Sequence, residues 1–221
     1  MGDKQNEQSE VDSTLNNDPS HILVSRFFHE YLANMKSGTV LEIGSRARSG
    51  IDRRELIPEH MDYVGFDIIP GPNVDVVGDA HNLSKYFKKK SIDCIFSMSV
   101  LEHIAMPWKF AIEMNKVMKV GAIAMHSSHQ AWPLHEIPWD YWRFSENTWK
   151  TFFNSKTGFE IVETAVGEPA NLHPVYLHPA VKEVSKFPNF MQSSVICKKV
   201  SRTWLRWNVP ISEVSDSPYP H

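Results

Sequence analysis

Two aspartates follow predicted strands of this sequence at the spacing that a nucleoside requires. Asp67 ends the second predicted strand and lies 23 residues beyond Gly44, which ends the first. A carboxylate at about that separation can accept hydrogen bonds from both hydroxyls of a ribose held over the first turn. Asp79 follows the third predicted strand, where a carboxylate can meet an adenine amino group. Taken alone, each of the two aspartates is better explained as a helix cap or a turn residue. Together, at successive strand ends, they predict a nucleoside site.

Four histidines are candidates for proton transfer near the same edge, since histidine is the usual base near neutral pH. His103 follows Glu102 just past the fourth predicted strand, and His135 lies in a later loop. We expect one of these two to be catalytic, although a structural bond to Glu102 explains His103 equally well. His126 and His129 follow the fifth strand and are expected at the substrate. Because a His-x-x-His pair on an irregular loop is weak evidence for a metal site, we predict no metal.

The segment 129–144 is rich in aromatic residues separated by polar ones. Aromatic faces with interspersed polar groups suit sugars or planar rings. We therefore expect Trp139, Tyr141 and Arg143 to contact the substrate. A hydrophobic lid packed on the sheet is the alternative, and Arg143 fits a structural ion pair with Asp140 as well as a substrate contact.

Strands and helices must alternate to position these residues. Hydrophobic periodicity predicts helices over 22–35, 51–57, 83–87, 107–118 and 145–153. Strands are predicted over 39–43, 63–67, 74–77, 92–98, 122–126, 159–166 and 192–200. This alternation predicts an α/β protein with a mostly parallel sheet, covered by helices on both faces. The last two strands have no confident helix between them, which predicts an antiparallel hairpin at one edge.

Length and charge bound the class of protein. A chain of 221 residues is nearer one domain than two, so we expect a polar tail over 1–20, one domain over 21–209 and an irregular tail over 210–221. The formal net charge of −3 disfavours nucleic acid as the main partner. No apolar stretch approaches the ~20 residues of a membrane span, and the N-terminus lacks the apolar region of a signal peptide. We expect a cytoplasmic protein.

Six motifs, taken as an ordered set, carry a specific resemblance over about half of the chain. They are Val40-Leu41-Glu42-Ile43-Gly44-Ser45, Val64-Gly65-Phe66-Asp67, Val77-Gly78-Asp79-Ala80, Val100-Leu101-Glu102-His103, Val117-Met118-Lys119-Val120-Gly121, and Pro133-Leu134-His135-Glu136 running into Trp139-Asp140-Tyr141-Trp142-Arg143-Phe144. The sequence thereby resembles class I S-adenosylmethionine-dependent methyltransferases. More narrowly, it resembles the small bacterial "type 11" branch often associated with glycan and sugar biosynthesis. The resemblance implies a Rossmann-like, seven-stranded, mostly parallel sheet with an antiparallel C-terminal hairpin strand.

The resemblance also implies roles for individual residues. Glu42 and Gly44 would lie by the methionine moiety of S-adenosylmethionine. Asp67 would take the ribose hydroxyls, and Asp79 with the Ala80 backbone would take adenine. The expected cofactor set is completed by Ser45, Ile68, Ser97 and Leu101.

Two departures from the family pattern concern the cofactor loop and a metal. Arg46 and Arg48 stand where the family has glycines, which permit close backbone approach. Either the loop is remodelled with Gly50 making the turn, which we favour, or the cofactor site is degenerate. Ubiquinone-type O-methyltransferases have a glutamate three residues before the Glu-His pair. Ser99 stands there instead, which weakens the case for Mg²⁺.

The leading hypothesis is a methyltransferase that acts on a hydroxyl of a sugar or other small metabolite, leaving S-adenosylhomocysteine as product. The alternatives are a small-molecule N-methyltransferase and a non-catalytic binding subunit with a degenerate cofactor loop. We expect a small-molecule acceptor as partner, with neither nucleic acid nor membrane, and leave a homodimer open.

Overall fold

The computed structural model describes residues 16–48, 50–176 and 178–216, and within them seven strands form one sheet. The strands are β1 (Gly38–Ile43), β2 (Met61–Asp67), β3 (Val76–Val77), β4 (Ile92–Met98), β5 (Met118–His129), β6 (Phe159–Ala170) and β7 (Asn189–Lys199). Their order is β3-β2-β1-β4-β5-β7-β6. Strands β1 to β5 are parallel, and β7 runs antiparallel to both β5 and β6. The predicted α/β sheet with an antiparallel hairpin at one edge is confirmed.

Four α-helices connect or cover the described strands: α1 (Pro19–Arg26), α2 (Leu83–Tyr86), α3 (Pro107–Val117) and α4 (Glu146–Phe152). A π-helical segment, Phe27–Leu32, continues α1, and 3₁₀ turns occupy Arg53–Leu56, Ala80–Asn82, Leu101–His103, Val184–Lys186 and Ile211–Glu213. Among the residues described, no helix combines the length and hydrophobicity needed to cross a membrane.

Two hydrophobic cores lie on opposite faces of the sheet. Successive side chains of a strand point to opposite faces, so Val40 packs with α1 and the π-helical segment while Leu41 packs with α3 and α4. Phe96 and Ile95 of β4 divide in the same way. The strands are therefore apolar on both faces, as the sequence predicts for a sheet covered by helices on each side.

The folded region begins earlier than residue 21. The buried Asp18 side chain accepts hydrogen bonds from the backbone N–H groups of Ser20 and His21, which caps α1. It also accepts one from Glu168 N, at 2.5 Å, so it joins α1 to β6. The expected tails over 1–20 and 210–221 lie partly outside the described residues, at 1–15 and 217–221.

Strand β5 is longer than predicted at both ends. The predicted strand begins after Gly121, but α3 ends at Val117 and β5 begins at Met118. Gly121 has a φ of +90° and lies within the strand, beside a register shift in the pairing of β4 with β5. Continued pairing with β7 carries β5 to His129, three residues beyond the predicted end at His126. Residues predicted to follow the strand are therefore part of it.

Candidate functional site

A cavity of about 620 Å³ lies at the carboxyl ends of β1 to β5. Parallel pairing gathers these ends, with Ile43 opposite both Phe66 and Ser97. Nine residues proposed from the sequence line the cavity: Gly44, Asp67, Ile68, Asp79, Ala80, His103, His129, His135 and Tyr141. The first five form its β1–β3 end, and the other four lie at its β4–β5 end.

Asp67 is positioned by the backbone at the end of β2. The turn after β1 is tied to this strand because the N–H groups of Gly44 and Ser45 both donate to Phe66 O. Asp67 Oδ2 accepts a hydrogen bond from Arg46 N at 3.2 Å, and Oδ1 accepts one from Ile69 N at 3.0 Å. A carboxylate has about four acceptor positions. Both oxygens therefore retain acceptor capacity for a vicinal diol.

Asp79 is held by a histidine that the sequence analysis did not identify. His81 Nδ1 lies 2.6 Å from Asp79 Oδ1, while His81 Nε2 accepts a hydrogen bond from Met106 N. Nδ1 therefore carries the ring proton and donates it to Asp79. Burial raises the pKa of Asp79, but the hydrogen bonds from the ring and the backbone N–H of His81 outweigh it, so this pKa lies below its usual value. An ionised acceptor is thus fixed at the end of β3.

The loop with the two arginines is remodelled without filling the cavity. Gly50 has a φ of +76°, and its N–H donates to Ala47 O, so the turn is made there as expected. The half-exposed Arg48 side chain forms an ion pair with Glu136. Arg46 also lines the cavity, and its Nε is buried without a hydrogen-bond partner among the described residues.

Four residues expected at the cofactor lie behind the cavity wall: Glu42, Ser45, Ser97 and Leu101. The buried Glu42 accepts hydrogen bonds from Tyr63 Oη at 2.5 Å and Arg53 Nη1 at 3.5 Å. Burial raises the pKa of Glu42. Because Arg53 lines the cavity and Glu42 does not, Glu42 acts there only by orienting Arg53.

At the other end of the cavity, Glu102 lies behind three histidines that line it, and we call these four residues the Glu102 cluster (Glu102, His103, His129 and His135). Glu102 is fully buried, and its Oε2 accepts a hydrogen bond from Ser128 Oγ at 2.6 Å. Its Oε1 lies 2.8 Å from His129 Nδ1, without the alignment of a hydrogen bond. Burial raises the pKa of Glu102, but the contacts with His129 and Ser128 more than offset this, so the pKa lies below its usual value.

The three histidines of the Glu102 cluster face one another. The ring of His135 is edge-on to those of His103 and His129, with centroids 4.8 and 5.2 Å away. His129 also stacks on Trp132, with ring centroids 4.6 Å apart. Glu102, His103 and His135 each offer one potential metal-ligand atom, and these atoms lie within 4.8 Å of one another. The sequence analysis identified each of these residues but not their convergence, since His135 arrives from a separate loop.

His126, expected at the substrate, lies in the core instead. Its ring stacks on Phe153, and its Nδ1 is 2.7 Å from Ser97 Oγ. Burial lowers the pKa of His126 to about 3, so the ring is neutral. The cause is the length of β5, because His126 is three residues before the strand end, where His129 reaches the cavity.

Of the three residues in the aromatic segment that were predicted to contact the substrate, one lines the cavity and the other two make structural contacts. Arg143 donates to both oxygens of Asp140 and to the carbonyls of Trp132 and Pro133, and this pairing holds the pKa of Asp140 well below its usual range. Trp139 supplies a carbonyl oxygen to His103 Nδ1. Tyr141 lines the cavity, and its buried hydroxyl has no hydrogen-bond partner among the described residues.

The strand order and the carboxylates after β2 and β3, beside the turn at Gly44, define a class I methyltransferase. The sheet crosses over between β1 and β4, which is where such sheets bind ligands.

Comparison with known proteins agrees with this class. A family model described as a methyltransferase domain matches residues 20–164, about two thirds of the chain, and the protein belongs to that family. The fold is similar to an S-adenosylmethionine-dependent methyltransferase from Archaeoglobus fulgidus, with a TM-score of 0.56 and 18% identity over 80% of this chain and 93% of that one. It is also similar to the YcgJ protein of Bacillus subtilis, with a TM-score of 0.58 and 14% identity over 82% and 99% of the two chains. A search of curated proteins finds no match.

S-adenosylmethionine is the cofactor of this class, and the cavity fits it. Asp67 and Asp79 would hold the nucleoside through the acceptors described above. The unpartnered Nε of Arg46 is a charged donor suited to the methionine carboxylate. When bound, the cofactor supplies an electrophilic methyl group on a sulfonium.

Proposed function

We propose that the protein transfers the methyl group of S-adenosylmethionine to a hydroxyl oxygen of a small molecule. The observation that carries the proposal is that one cavity joins Asp67 and Asp79 at one end to the three histidines of the Glu102 cluster at the other. A hydroxyl is a weak nucleophile and benefits from a base, whereas an amine needs less help. Three histidines around a carboxylate therefore favour an oxygen acceptor.

The transfer is a displacement at carbon. As the new C–O bond forms, the C–S bond breaks and its electron pair stays on sulfur, which leaves the thioether S-adenosylhomocysteine. The hydroxyl proton passes to a histidine of the Glu102 cluster. His129 is placed for this role beside His103 and His135, since it lines the cavity and its Nδ1 is next to the Glu102 carboxylate. Positioning the two reactants in one cavity supplies much of the acceleration.

The walls of the acceptor end suggest a hydroxylated ring as substrate. Trp132 presents an aromatic face stacked on His129, and Tyr141 offers an unpartnered hydroxyl. Such a surface combines apolar contact with a few polar groups. Together with the resemblance to the glycan-associated branch, this supports a sugar or sugar-like metabolite. We extend the proposal to a cytoplasmic protein that acts without nucleic acid or membrane.

The test is methyl transfer from isotopically labelled S-adenosylmethionine to panels of sugars, phenols and amines, with products assigned by mass spectrometry. We expect O-methyl products. His129→Ala should lower kcat by ~10²-fold or more, while the affinity for S-adenosylhomocysteine stays unchanged. His173→Ala is the matched control, since His173 is exposed and does not line the cavity. Methylation confined to amines, or full turnover by all three cluster variants, would contradict the proposal.

A further inference from the structure

We propose that Glu102, His103 and His135 bind one divalent transition-metal cation at the acceptor end of the cavity. This deepens the proposed function, on which its catalytic role rests, but binding of the ion can be measured by itself. The sequence led us to expect no metal, because Ser99 replaces a carboxylate and His135 is distant in the chain. The structure brings His135 to the Glu102–His103 pair.

The three side chains form a recognised type of donor set. Two imidazoles and one carboxylate, with further positions open, are typical of sites for first-row divalent metals. Their potential ligand atoms lie within 4.8 Å of one another. Bonds of about 2.0–2.2 Å allow at most ~4.4 Å between two ligands of one ion. The ligand atoms must therefore move toward one another, by rotation of the side chains, to share one ion.

Each of the three side chains is also held by a contact with a neighbouring residue. His103 Nδ1 is 2.8 Å from Trp139 O, and His135 Nδ1 is 3.1 Å from Asp140 Oδ2. Contacts of this kind orient metal-bound histidines. Ser128 Oγ holds Glu102 Oε2 in the same way. The supporting contacts of a metal site are thus present from three different segments.

The burial of the Glu102 carboxylate is the second observation. Glu102 is fully buried, yet its Oε1 accepts no hydrogen bond from the described residues. Its contact with His129 Nδ1, at 2.8 Å, has the distance of an ion pair without the alignment of a hydrogen bond. A buried carboxylate is costly unless it is paired and hydrogen-bonded. A cation within reach of Oε1 would balance this charge.

The ion would act on the acceptor. A carboxylate and two neutral imidazoles leave a divalent ion with net positive charge, which lowers the pKa of a hydroxyl that binds at an open position. The released proton would pass to His129, which lines the same cavity. Because imidazole suits Zn²⁺, Fe²⁺ or Ni²⁺ better than Mg²⁺, we expect a transition metal at this site.

The test is titration of the chelator-treated full-length protein with Co²⁺ and Zn²⁺ in the absence of S-adenosylmethionine. Calorimetry gives stoichiometry, and visible absorption of Co²⁺ reports nitrogen and oxygen coordination. We expect one ion per chain and at least ~10-fold weaker binding in His103→Ala and His135→Ala. His173→Ala should bind as the wild type does. Glu102→Gln should also weaken binding, and an unchanged affinity for S-adenosylhomocysteine shows that each variant is folded.

Absence of saturable binding, binding that the His103 and His135 variants leave unchanged, or preference for Mg²⁺ would overturn the metal site. The proposed function has a separate outcome. A protein that binds the ion but methylates no acceptor would retain the site and lose the function. A protein that methylates hydroxyls at full rate but binds no ion would retain the proposed function and lose the metal site.

Discussion

Arg48 Nη2 lies 2.5 Å from Glu136 Oε1, and this ion pair joins the turn after β1 to the loop after β5. Both residues line the cavity, so the pair connects its two ends. An exposed ion pair contributes about 0.2–1 kcal/mol and is screened by salt. We expect Arg48→Ala and Glu136→Gln each to weaken S-adenosylhomocysteine binding by at most ~5-fold, with a smaller effect at high salt. The double variant should resemble either single one, and strictly additive effects in calorimetry would contradict the coupling.

Asp67 should dominate the affinity for the nucleoside. Asp67→Asn keeps the size of the side chain but removes the charge and one acceptor. Hydrogen bonds to charged groups contribute ~1.5–3 kcal/mol, so we expect ~10- to 100-fold weaker binding of S-adenosylhomocysteine. Asp62→Asn is the control, because Asp62 lies on the same strand and is exposed. Equal affinities of the two variants would show that Asp67 does not bind the ribose.

Tyr141 should affect the acceptor and not the cofactor. Its hydroxyl is buried in the cavity wall without a protein partner among the described residues. Tyr141→Phe therefore removes no intramolecular hydrogen bond there, and we expect unchanged or slightly higher stability. The KM for the acceptor should rise ~5- to 10-fold, as for loss of one hydrogen bond. A change in S-adenosylhomocysteine affinity instead would place this hydroxyl at the cofactor.

His126 should make the protein less stable in mild acid. Its pKa is about 3 in the folded chain and about 6.5 when unfolded. The unfolded state thus binds more protons between these values, so stability is fully present above about pH 6.5 and falls as the pH decreases. The slope from this group is up to ~1.4 kcal/mol per pH unit.

Urea unfolding at a series of pH values tests this prediction. His126→Leu should show a flatter pH dependence than the wild type, while His173→Ala keeps the original slope. Parallel curves for all three proteins would contradict a neutral core histidine. Because His126 does not line the cavity, the leucine variant should also retain S-adenosylhomocysteine affinity.

The strand ends could be predicted because hydrophobic runs mark them and parallel pairing aligns them. Asp67 and Asp79 therefore line the cavity as expected. The direction of each side chain was harder to predict than the strand ends. It alternates along a strand and depends on where the strand ends. Ser97 and His126 were assigned to ligands but point together into the core, because β5 continues to His129. Pairing with β7 sets that end, and no local sequence signal reports it.

The positions of the loop residues could not be predicted, because tertiary contacts determine them. The motif containing His135 was recognisable, but its approach to Glu102 and His103 depends on tertiary contacts of residues 130–144, such as the hydrogen bonds from Tyr141 N to Glu102 O and from Phe144 N to His129 O. Arg46 and Arg48 line the cavity although arginine at these positions argued against a cofactor site. Their neighbours explain this, since Arg46 packs its stem over Gly71 and Arg48 pairs with Glu136.

The contacts of Arg143 have a thermodynamic consequence for recognition. By binding Asp140 and the carbonyls of Trp132, Pro133 and Trp142, this side chain fixes the aromatic loop before any acceptor arrives. The conformational entropy of the loop is then lost when the chain folds and not when the acceptor binds. A wall of this kind discriminates by shape, because an oversized ring meets fixed side chains that do not rearrange around it.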